Sequence, residues 1–388
     1  MVVLTIAAAV AALIWVYLLL GRGRFWLIRN IIAQPGAPQL ARPVAVIIPA
    51  RNEAEVIGRT VASLLAQADK TLHVFLVDDA SADATVQVAR QVAASLGKAD
   101  SLTILPSRPL PPGWSGKLWA VSQGVEAARS FAPEFLLFSD ADIVHSPATI
   151  PSLVAVAQRG YDLVSFMVKL HCRSLAEKLL IPTFVFFFFK LYPPAWIRDS
   201  RRGTAGAAGG CLLIKPQALA RTGGIEAIRS EIIDDCALAL AIKRSGGKIW
   251  LGMTRESVSI RPYGSFSEIG RMISRTAFNQ LRHSTLLLLG AVAGLTVTYL
   301  LPPVLLVSRH SVPIVLGVLA WGMMTAAYLP MVRFYRVNPM WALTLPLAAL
   351  FYMGATVHSA FKFWSGRGGQ WKGRAQDRAP RSVSPSQR

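Results

Sequence analysis

The sequence predicts an α/β fold class, with a mostly parallel, Rossmann-like sheet set between transmembrane helices at the N-terminal and C-terminal ends. Two observations support this prediction. Strand-like and helix-like segments alternate from Pro43 to about Pro262, which is typical of a parallel sheet covered by helices. Apolar residues make up 53% of the 388 residues and charged residues only 16%, and the apolar excess lies at the two ends.

The predicted strands are short β-branched or apolar runs, and the predicted helices repeat apolar residues at helical spacing. The strands are Val44–Ala50, His73–Asp79, Leu102–Leu105, Phe135–Phe138 and Leu163–Val168, and the first two helices are Glu53–Gln67 and Ala82–Leu96. In parallel sheets ligands bind at the carboxyl ends of the strands. The polar residues that end these strands are therefore the candidate site.

The apolar ends predict membrane helices. Residues Val2 to Leu20 carry no charge and are long enough to span a bilayer. Arg22, Arg24 and Arg29 follow, so we expect an uncleaved anchor over residues 1–21 and a cytoplasmic domain after it. Near the C-terminus a second transmembrane region, over 284–365, is predicted from Thr285–Val307, Val312–Val332 and Trp341–Trp364.

These predictions divide the chain further. We expect the α/β domain over 42–262, a basic amphipathic helix at the membrane surface over 263–283, and a basic, largely disordered tail over 366–388. Three full crossings after a cytoplasmic domain would leave the tail outside, against the positive-inside tendency. Either one segment is re-entrant or interfacial, or the tail is an exception, and the sequence leaves both possibilities open.

Another apolar stretch, Leu179–Phe189, lies inside the α/β region and is too short to span a bilayer. It is either a core segment or a helix that dips into the membrane beside the site, where a lipid could arrive. Residues suited to a membrane interface surround it and favour the second interpretation: Lys190, Tyr192, Trp196 and Arg198.

The formal net charge of +20 does not predict nucleic-acid binding. No zinc-ligand spacing or helix-turn-helix pattern accompanies it, and much of the charge flanks apolar segments, so attraction to an anionic membrane explains it better. The cysteines Cys172, Cys211 and Cys236 are far apart and form no CxxC pair. They predict neither a disulfide framework nor a zinc site.

Carboxylates recur where three predicted strands end, in Pro49-Ala50-Arg51-Asn52-Glu53, Asp78-Asp79 and Ser139-Asp140-Ala141-Asp142. Such carboxylates are costly to bury unless they are paired, hydrated or bound to a metal. Asp140 and Asp142 could share Mg²⁺ or Mn²⁺ with diphosphate oxygens. One Asp-x-Asp is often a loop turn, but three carboxylate-bearing strand ends together predict a site.

Three further features suit the same chemistry. Lys117, at a predicted helix start, could meet a diphosphate; a lone lysine is more often a surface residue, but beside the other motifs the two interpretations are equally favoured. Asp234-Asp235 precede a helix and either cap it or supply a general base for an acceptor hydroxyl. Gly209-Gly210 would allow close backbone approach to a sugar, although glycine pairs are common in turns.

In this order the motifs resemble the signature of the family 2 inverting glycosyltransferases, which have the GT-A fold. The sequence is more specifically similar to the hopene-associated glycosyltransferases of hopanoid gene clusters. The supporting stretches are Pro112–Ala120, the phenylalanine run Phe186–Phe189 with Leu191-Tyr192-Pro193, and Ile232–Leu238. The resemblance covers nearly the whole chain except its tail.

The resemblance implies a role for each site residue. The donor nucleotide would lie among Pro49, Ala50, Arg51, Glu53, Asp78, Asp79, Lys117 and Asp140. Asp140 and Asp142 would hold the metal and the donor diphosphate, and Asp235, beside Asp234, would be the catalytic base. Residues implied near the acceptor or diphosphate are Gly209, Gly210 and Arg282.

The sequence departs from related transferases around Arg282, because Asn279–His283 keeps only the arginine of their Gln-x-x-Arg-Trp element. Residues Trp371–Arg374 also resemble a segment of related transferases. If that segment works near the site, the tail must be cytoplasmic.

We therefore expect a multi-pass enzyme of the inner (cytoplasmic) membrane. It would be a hexosyltransferase-type glycosyltransferase that moves a sugar from a nucleotide sugar, a UDP-sugar first, to a lipid acceptor related to hopanoids. Transfer to a polyprenyl or other glycolipid acceptor stays open, as does a non-catalytic membrane scaffold with the same fold. The expected partners are the nucleotide sugar, the lipid acceptor and the membrane, without nucleic acid.

Overall fold

The computed structural model of the chain describes residues 1–28, 42–67 and 71–366, and two short strands at 370–371 and 374–375. Arg29 and most of the predicted disordered tail lie outside the described residues.

The described residues form ten strands and fourteen α-helices. The strands are β1 Val44–Ala50, β2 Leu72–Asp78, β3 Leu102–Pro106, β4 Phe135–Ser139, β5 Ile143–His145, β6 Leu163–Lys169, β7 Cys211–Ile214, β8 Ile249–Ser259, β9 Gln370–Trp371 and β10 Arg374–Ala375. The helices before the last strand of the large sheet are α1 Val2–Leu20, α2 Ala54–Leu65, α3 Thr85–Ser95, α4 Gly116–Ala128, α5 Thr149–Ala157, α6 Leu175–Leu191, α7 Pro194–Arg198, α8 Pro216–Arg221 and α9 Asp234–Arg244. The helices after it are α10 Phe266–Gln280, α11 Thr285–Leu295, α12 Leu301–Val304, α13 Ser311–Phe334 and α14 Leu345–Trp364, with a π-helical turn at Thr296–Leu300.

Eight strands form one mixed sheet in the order β3-β2-β1-β4-β7-β6-β8-β5. Strands β1, β2, β3 and β4 pair in parallel, and β6 pairs in parallel with β8. The register places Ala50 beside Asp78 at the ends of β1 and β2. The predicted α/β sheet with parallel strands is confirmed, and its carboxyl edge collects the motifs that follow β1, β2 and β4.

The sequence prediction missed β5, β7 and β8. Strands β5 and β7 are only three and four residues long and pair antiparallel to their neighbours β8, β4 and β6. Strand β8 has eleven residues, but its buried positions do not alternate regularly. Without a regular period of two, the sequence carries little strand signal there.

The sheet is covered on both faces by apolar contacts. One face packs against α2, α3 and α5, through residues such as Ile57, Ala89 and Leu153. The other face packs against α4, α6 and α9, and this core continues without a break into α13 and α14, including the buried Tyr328 and Tyr352. The α/β domain and the C-terminal helices therefore share one hydrophobic core.

Five helical stretches of the described residues are long and apolar enough to cross a membrane: Val2–Leu20, Leu175–Arg198, Thr285–Val307, Ser311–Phe334 and Pro339–Trp364. The prediction that the Phe-rich stretch is too short to span was wrong on length. Its helix α6 starts earlier because Ser174 and Glu177 form a capping box, in which each side chain bonds the backbone N–H of the other residue.

Helix α4 packs unusually close to β1 at Gly124. A Cβ placed at Gly124 would lie 2.5 Å from Cγ2 of Ile47 and 3.2 Å from Cγ2 of Val77. We expect Gly124→Ala to destabilise the protein by about 1–3 kcal/mol, because overpacking forces backbone or side-chain shifts. Thermal unfolding in detergent measures this effect. The control Gly203→Ala, with nothing within 4 Å of the added Cβ, should leave the melting temperature unchanged. Equal melting temperatures for both variants would contradict the packing argument.

Candidate active site

A cavity of about 1190 Å³ opens between the carboxyl edge of the sheet and the C-terminal helices. Most of the site residues predicted from the sequence line it: Pro49, Glu53, Lys117, Asp140, Asp142, Gly209, Gly210, Asp234 and Asp235. Outside that lining lie Ala50, Arg51, Asp78, Asp79 and Arg282. The structure therefore brings together carboxylates that are far apart in the sequence; Glu53 and Asp235, the first and last of them, are separated by about 180 residues.

Lys117 joins the Asp-x-Asp loop to the start of α9. Its Nζ lies 3.0 Å from Oδ1 of Asp140 and 3.1 Å from Oδ2 of Asp234. The Ser115 hydroxyl accepts the N–H of Leu118 and so starts α4 at the point that aims Lys117 into the cavity. Burial alone would lower the pKa of Lys117, but Asp140 and Asp234 raise it above its ordinary value, so the ammonium stays charged.

Arg261 makes a second link between carboxylates, and the sequence analysis missed it. Its guanidinium bonds Glu53 after β1, and its Nε lies 3.3 Å from Oδ2 of Asp142. The Ser259 hydroxyl donates to the same Asp142 oxygen at 2.8 Å. The available signal was a cation two residues beyond a strand that ends at the same edge, but β8 itself was not predicted.

Asp235 is held by two backbone N–H groups. Gly209 N donates to Oδ2 at 2.8 Å, and Cys236 N donates to Oδ1 at 2.7 Å. Burial and the neighbouring Asp234 carboxylate raise the pKa of Asp235 to about 6. A carboxylate with that pKa can accept a proton near neutral pH, as a general base must.

The glycine pair leaves room between the Asp140 and Asp235 carboxylates. A Cβ on Gly209 would lie 3.3 Å from Oδ2 of Asp235, and one on Gly210 would lie 3.6 Å from Oδ2 of Asp140. Larger side chains at these positions would crowd the space where a substrate meets both carboxylates.

A smaller group lies at the ends of β1 and β2, beside the cavity. Arg51 donates to the backbone oxygen of Asp79, and its Nη1 lies 3.5 Å from Oδ2 of the same residue. Ser81 N donates to Oδ2 of Asp78 at 3.3 Å, while Oδ1 of Asp78 is buried without a hydrogen-bond partner among the described residues. A buried carboxylate oxygen that accepts no hydrogen bond from the described residues is suited to a ligand that donates an N–H or O–H.

His145 forms hydrogen bonds to the end of β4, just before the Asp-x-Asp loop, and to β8. Its Nε2 lies 2.9 Å from the Ser139 hydroxyl, and its Nδ1 lies 2.9 Å from the Ser257 hydroxyl. Burial lowers its pKa to about 4, so the ring is neutral at physiological pH and acts as a hydrogen-bonding spacer.

Asp140 and Asp142 are the residues that fit a divalent cation. Within the described ranges no group of three or more His, Cys, Asp or Glu side chains could hold a metal ion. Two hard carboxylate ligands facing a cavity suit Mg²⁺ or Mn²⁺, which keep water or substrate oxygens as further ligands. These two carboxylates therefore fit a metal ion whose remaining ligands are water or oxygen atoms of a bound substrate.

The wall of the cavity formed by α6, α10, α14 and the π-helical turn is aromatic and basic. Helix α10 contributes Arg271 and Arg275, one turn apart, and Gln280, whose Nε2 donates to the Tyr192 hydroxyl at 2.9 Å. Arg282 is exposed, lies beyond the end of α10 with a positive φ of 52°, and is not brought to the wall. The aromatic side chains of the wall are Phe184, Phe187, Phe188, Tyr192, Tyr299 and Tyr352.

A mixed α/β sheet with paired carboxylates at the carboxyl edge, and a candidate base at a neighbouring helix start, defines the class of GT-A glycosyltransferases. Residues 41–264 match the family model described as "Glycosyltransferase like family 2". The chain belongs to this family, which confirms the resemblance seen in the sequence, and it is a glycosyltransferase.

Two relatives illustrate the similarity. The undecaprenyl-phosphate 4-deoxy-4-formamido-L-arabinose transferase of Aeromonas hydrophila is 31% identical over 127 residues, or 32% of this chain and 36% of the relative. The enzyme of the same name from Pseudomonas aeruginosa is 32% identical over 125 residues, or 31% and 34%. The match thus spans about a third of the length of each relative.

One solved structure shows the same fold over nearly the whole chain. It is a mannosyltransferase from Pyrobaculum calidifontis in complex with GDP-Man and Mn²⁺. Its TM-score is 0.53 at 20% identity, and the similarity covers 90% of this chain and 98% of that one.

The position of Lys117 between two carboxylates makes a testable contribution to stability. We expect Lys117→Met to lower the free energy of unfolding by about 1–3 kcal/mol, because Asp140 and Asp234 lose their shared cation. The full penalty of a buried charge does not apply, since the Asp140 side chain is 38% exposed. Denaturation in detergent with a chelator present measures the change. Lys117→Arg keeps the charge and should recover part of the loss; identical stability of wild type and Lys117→Met would contradict the role.

Proposed function

We propose that the chain is a membrane-bound inverting glycosyltransferase that moves a sugar from a nucleotide-sugar donor to the hydroxyl group of a lipid acceptor, with hopanoid-related lipids as the first candidates. One observation carries this proposal. The same cavity joins Asp235, with its raised pKa, to an aromatic wall formed by apolar helices. A polar substrate and a lipid can therefore meet at one carboxylate.

The donor nucleotide would bind where β1 and β2 end. The buried Oδ1 of Asp78 would accept a hydrogen bond from the base or ribose, and Arg51 and Asp79 would form the floor. Uracil carries such an N–H donor at N3, so a UDP-sugar is the first donor to test. The sugar and diphosphate would then extend past Pro49 into the cavity.

The diphosphate would lie between Lys117 and the Asp-x-Asp pair. Asp140 and Asp142 would hold Mg²⁺ or Mn²⁺, which when bound neutralises charge on the leaving diphosphate. Lys117 would turn from Asp140 toward the phosphate oxygens, a move of one flexible side chain. The mannosyltransferase structure with GDP-Man and Mn²⁺ has the same fold and supports this arrangement.

Asp235 would take the proton of the acceptor hydroxyl. As the acceptor oxygen forms a bond to the anomeric carbon, the bond from that carbon to the diphosphate breaks on the opposite face, and the sugar inverts. The hydroxyl proton ends on the Asp235 carboxylate, and the electron pair of the broken bond leaves with the diphosphate. The N–H groups of Gly209 and Cys236 keep the carboxylate oriented during this transfer.

A polyprenyl phosphate is the second candidate acceptor. The names of the two relatives indicate transfer to undecaprenyl phosphate. Arg271 and Arg275 on the cavity wall would suit a phosphate, and neither forms an ion pair in the described part of the chain. Against it, a phosphate at the reacting position would meet Asp234 and Asp235 and would need no general base. A scaffold without catalysis is disfavoured because both carboxylates are present and positioned.

We propose that the enzyme lies in the inner (cytoplasmic) membrane with its catalytic domain in the cytoplasm. Arg22 and Arg24 follow the anchor helix, and Arg22 lies over the Trp196 ring at 4.5 Å. Tryptophan is typical of either membrane interface, and arginine next to an apolar helix favours the cytoplasmic one.

Replacing the base should separate catalysis from donor binding. We expect Asp235→Asn to lower the transfer rate by about 10²–10⁴-fold, because the amide cannot accept the hydroxyl proton. The wild-type rate should fall as the pH drops below about 6, where Asp235 becomes protonated, and level off above that pH. Product formation on lipid acceptors measures both effects, and donor affinity should be unchanged. Asp100→Asn, on the exposed surface, is the matched control. Wild-type rates in Asp235→Asn, or a rate independent of pH, would refute the assignment.

Donor binding should require the metal. We expect detergent-solubilised protein to bind one nucleotide sugar from a panel in Mn²⁺ or Mg²⁺, and to lose binding in chelator. Asp142→Asn should weaken binding in the same way, because it removes one of two carboxylate ligands, while Asp100→Asn should not. Lipid alcohols and polyprenyl phosphates can then be compared as acceptors with the donor identified. Donor binding that survives both the chelator and Asp142→Asn would exclude a metal role for the Asp-x-Asp pair.

A further inference from the structure

Helix α6 starts and ends on the catalytic domain. It follows β6, and the chain returns to the sheet in β7, which pairs antiparallel to β6. The residues between these two strands therefore leave and re-enter at the same end of the sheet. At the far end of α6, Tyr192 packs so closely on Gly206 that a Cβ there would lie 2.7 Å from its ring. Helices α6 and α7 are together long enough to span a bilayer, but both ends of α6 contact the catalytic domain.

Helix α10 runs alongside α6 in the same direction. Before α10 starts, Tyr263 N donates to Oε1 of Glu177 at 2.8 Å, near the start of α6. At its end, Gln280 Nε2 donates to the Tyr192 hydroxyl at 2.9 Å, just beyond the end of α6. Both ends of α10 therefore lie at the catalytic domain.

Helix α14 packs along α10 and runs in the same direction. Its Phe351 ring lies 6.0 Å from Phe266 at the start of α10, and its Phe363 ring lies 5.5 Å from Phe278 near the end. Between them Phe278 N donates to the Ser359 hydroxyl at 3.1 Å. Phe363 also stacks on His283 at 4.0 Å, just before α11 begins. The final turn of α14 is thus back at the level where the chain leaves the catalytic domain.

The other long apolar helices extend away from the domain and back. The stretch Thr285–Val307 and helix α13 form a hairpin, in which a Cβ on Gly317 would lie 2.8 Å from Cβ of Leu305. The end of α13 reaches the domain again, because Arg255 Nε in β8 donates to the backbone oxygen of Phe334 at 2.9 Å. The end of α1 reaches it too, where Arg22 Nε donates to the backbone oxygen of Lys190 at 3.0 Å.

The segment between α13 and α14 turns back into the apolar layer. Trp321 Nε1, in the middle of α13, donates to the backbone oxygen of Leu343 at 3.3 Å. After Phe334 the chain therefore folds back along α13, and α14 then returns it toward the catalytic domain. The segment enters from the catalytic side and returns to it.

We propose that the membrane is crossed by α1, Thr285–Val307 and α13, and that residues 335–364 are re-entrant. Helix α14 then lies with α6 and α10 against the catalytic domain, and the partner of its outer face is the acyl layer of the nearer leaflet. Four large apolar side chains that are exposed on α14 supply this face: Leu347, Leu350, Phe361 and Trp364. Gly366, just beyond the end of α14, is then on the same side of the membrane as the catalytic domain.

The charges agree with this topology. The far turn of the hairpin, residues 308–310, contains one arginine, Arg309, and one histidine. The tail carries one acidic residue, Asp377, against the basic residues Arg367, Lys372, Arg374, Arg378, Arg381 and Arg388. Placing the tail with the catalytic domain keeps these cations on the side of Arg22 and Arg24, as the positive-inside tendency requires.

Site-directed labelling of the full-length chain in membrane vesicles tests the proposal. Single cysteines are introduced by Ser130→Cys on the catalytic domain, Arg309→Cys in the far turn and Ser386→Cys in the tail, after Cys172, Cys211 and Cys236 are changed to alanine. A membrane-impermeant maleimide is added to right-side-out and inside-out vesicles. We expect Ser386→Cys and Ser130→Cys to be labelled in one vesicle orientation, and Arg309→Cys in the other.

Two results would overturn the proposal. Labelling of Ser386→Cys together with Arg309→Cys would show that α14 crosses the membrane. Labelling of all three from one side would show that the hairpin does not cross. A protease-cleavable tag after Arg388 in the chain with its native cysteines gives the same answer if the cysteine-free chain fails to fold. Cleavage of the tag only on the side of the catalytic domain is expected, and cleavage only on the opposite side refutes the proposal.

Discussion

Two partly buried cations, Lys117 and Arg261, hold the active-site edge of this protein together. Lys117 binds carboxylates from the end of β4 and the start of α9, and Arg261 binds carboxylates that follow β1 and β4. Each cation thereby connects chain segments that are distant in sequence. Without them, Glu53, Asp140 and Asp142 would meet as unscreened like charges in a partly buried cavity, which is costly. The arrangement of the strands makes these contacts possible, and the charge balance makes them stable.

That balance also explains how the site can accept a charged substrate. Glu53, Asp140, Asp142 and Asp234 each contact one of these two cations, which partly offsets the repulsion among the carboxylates. A diphosphate with a divalent cation brings both signs of charge, and can replace the Lys117–Asp140 contact without leaving either partner exposed to an apolar wall. The backbone N–H groups at Asp235 do not change in this exchange, because they belong to the Gly209 turn and the first turn of α9.

Local patterns were enough to predict the parallel half of the sheet. Strand β1 was predicted with its observed bounds, Val44–Ala50, and β2 and β4 differ by one residue at their ends. The carboxylates after these strands followed directly, because parallel strands end at one edge. The contacts of Arg261 could not be predicted in this way, since its partner Glu53 is 208 residues away and β8 lacks a regular alternation. For Arg282, similarity to a motif suggested a site, but the helix ends two residues earlier and turns that side chain away.

The N-terminal helix α1, which we propose as a membrane anchor, also contacts the wall of the cavity. Trp15 is fully buried, and its Nε1 donates to the backbone oxygen of Thr298 at 2.8 Å within the π-helical turn. The next residue, Tyr299, packs edge-on against Trp15, and its hydroxyl on the cavity wall accepts a hydrogen bond from Nζ of Lys190 at 2.9 Å. π-helical turns are rare in proteins, and the Trp15 hydrogen bond ties this one to α1. Exchanging α1 for an unrelated anchor would therefore keep the enzyme in the membrane while loosening the wall against which its lipid substrate would rest.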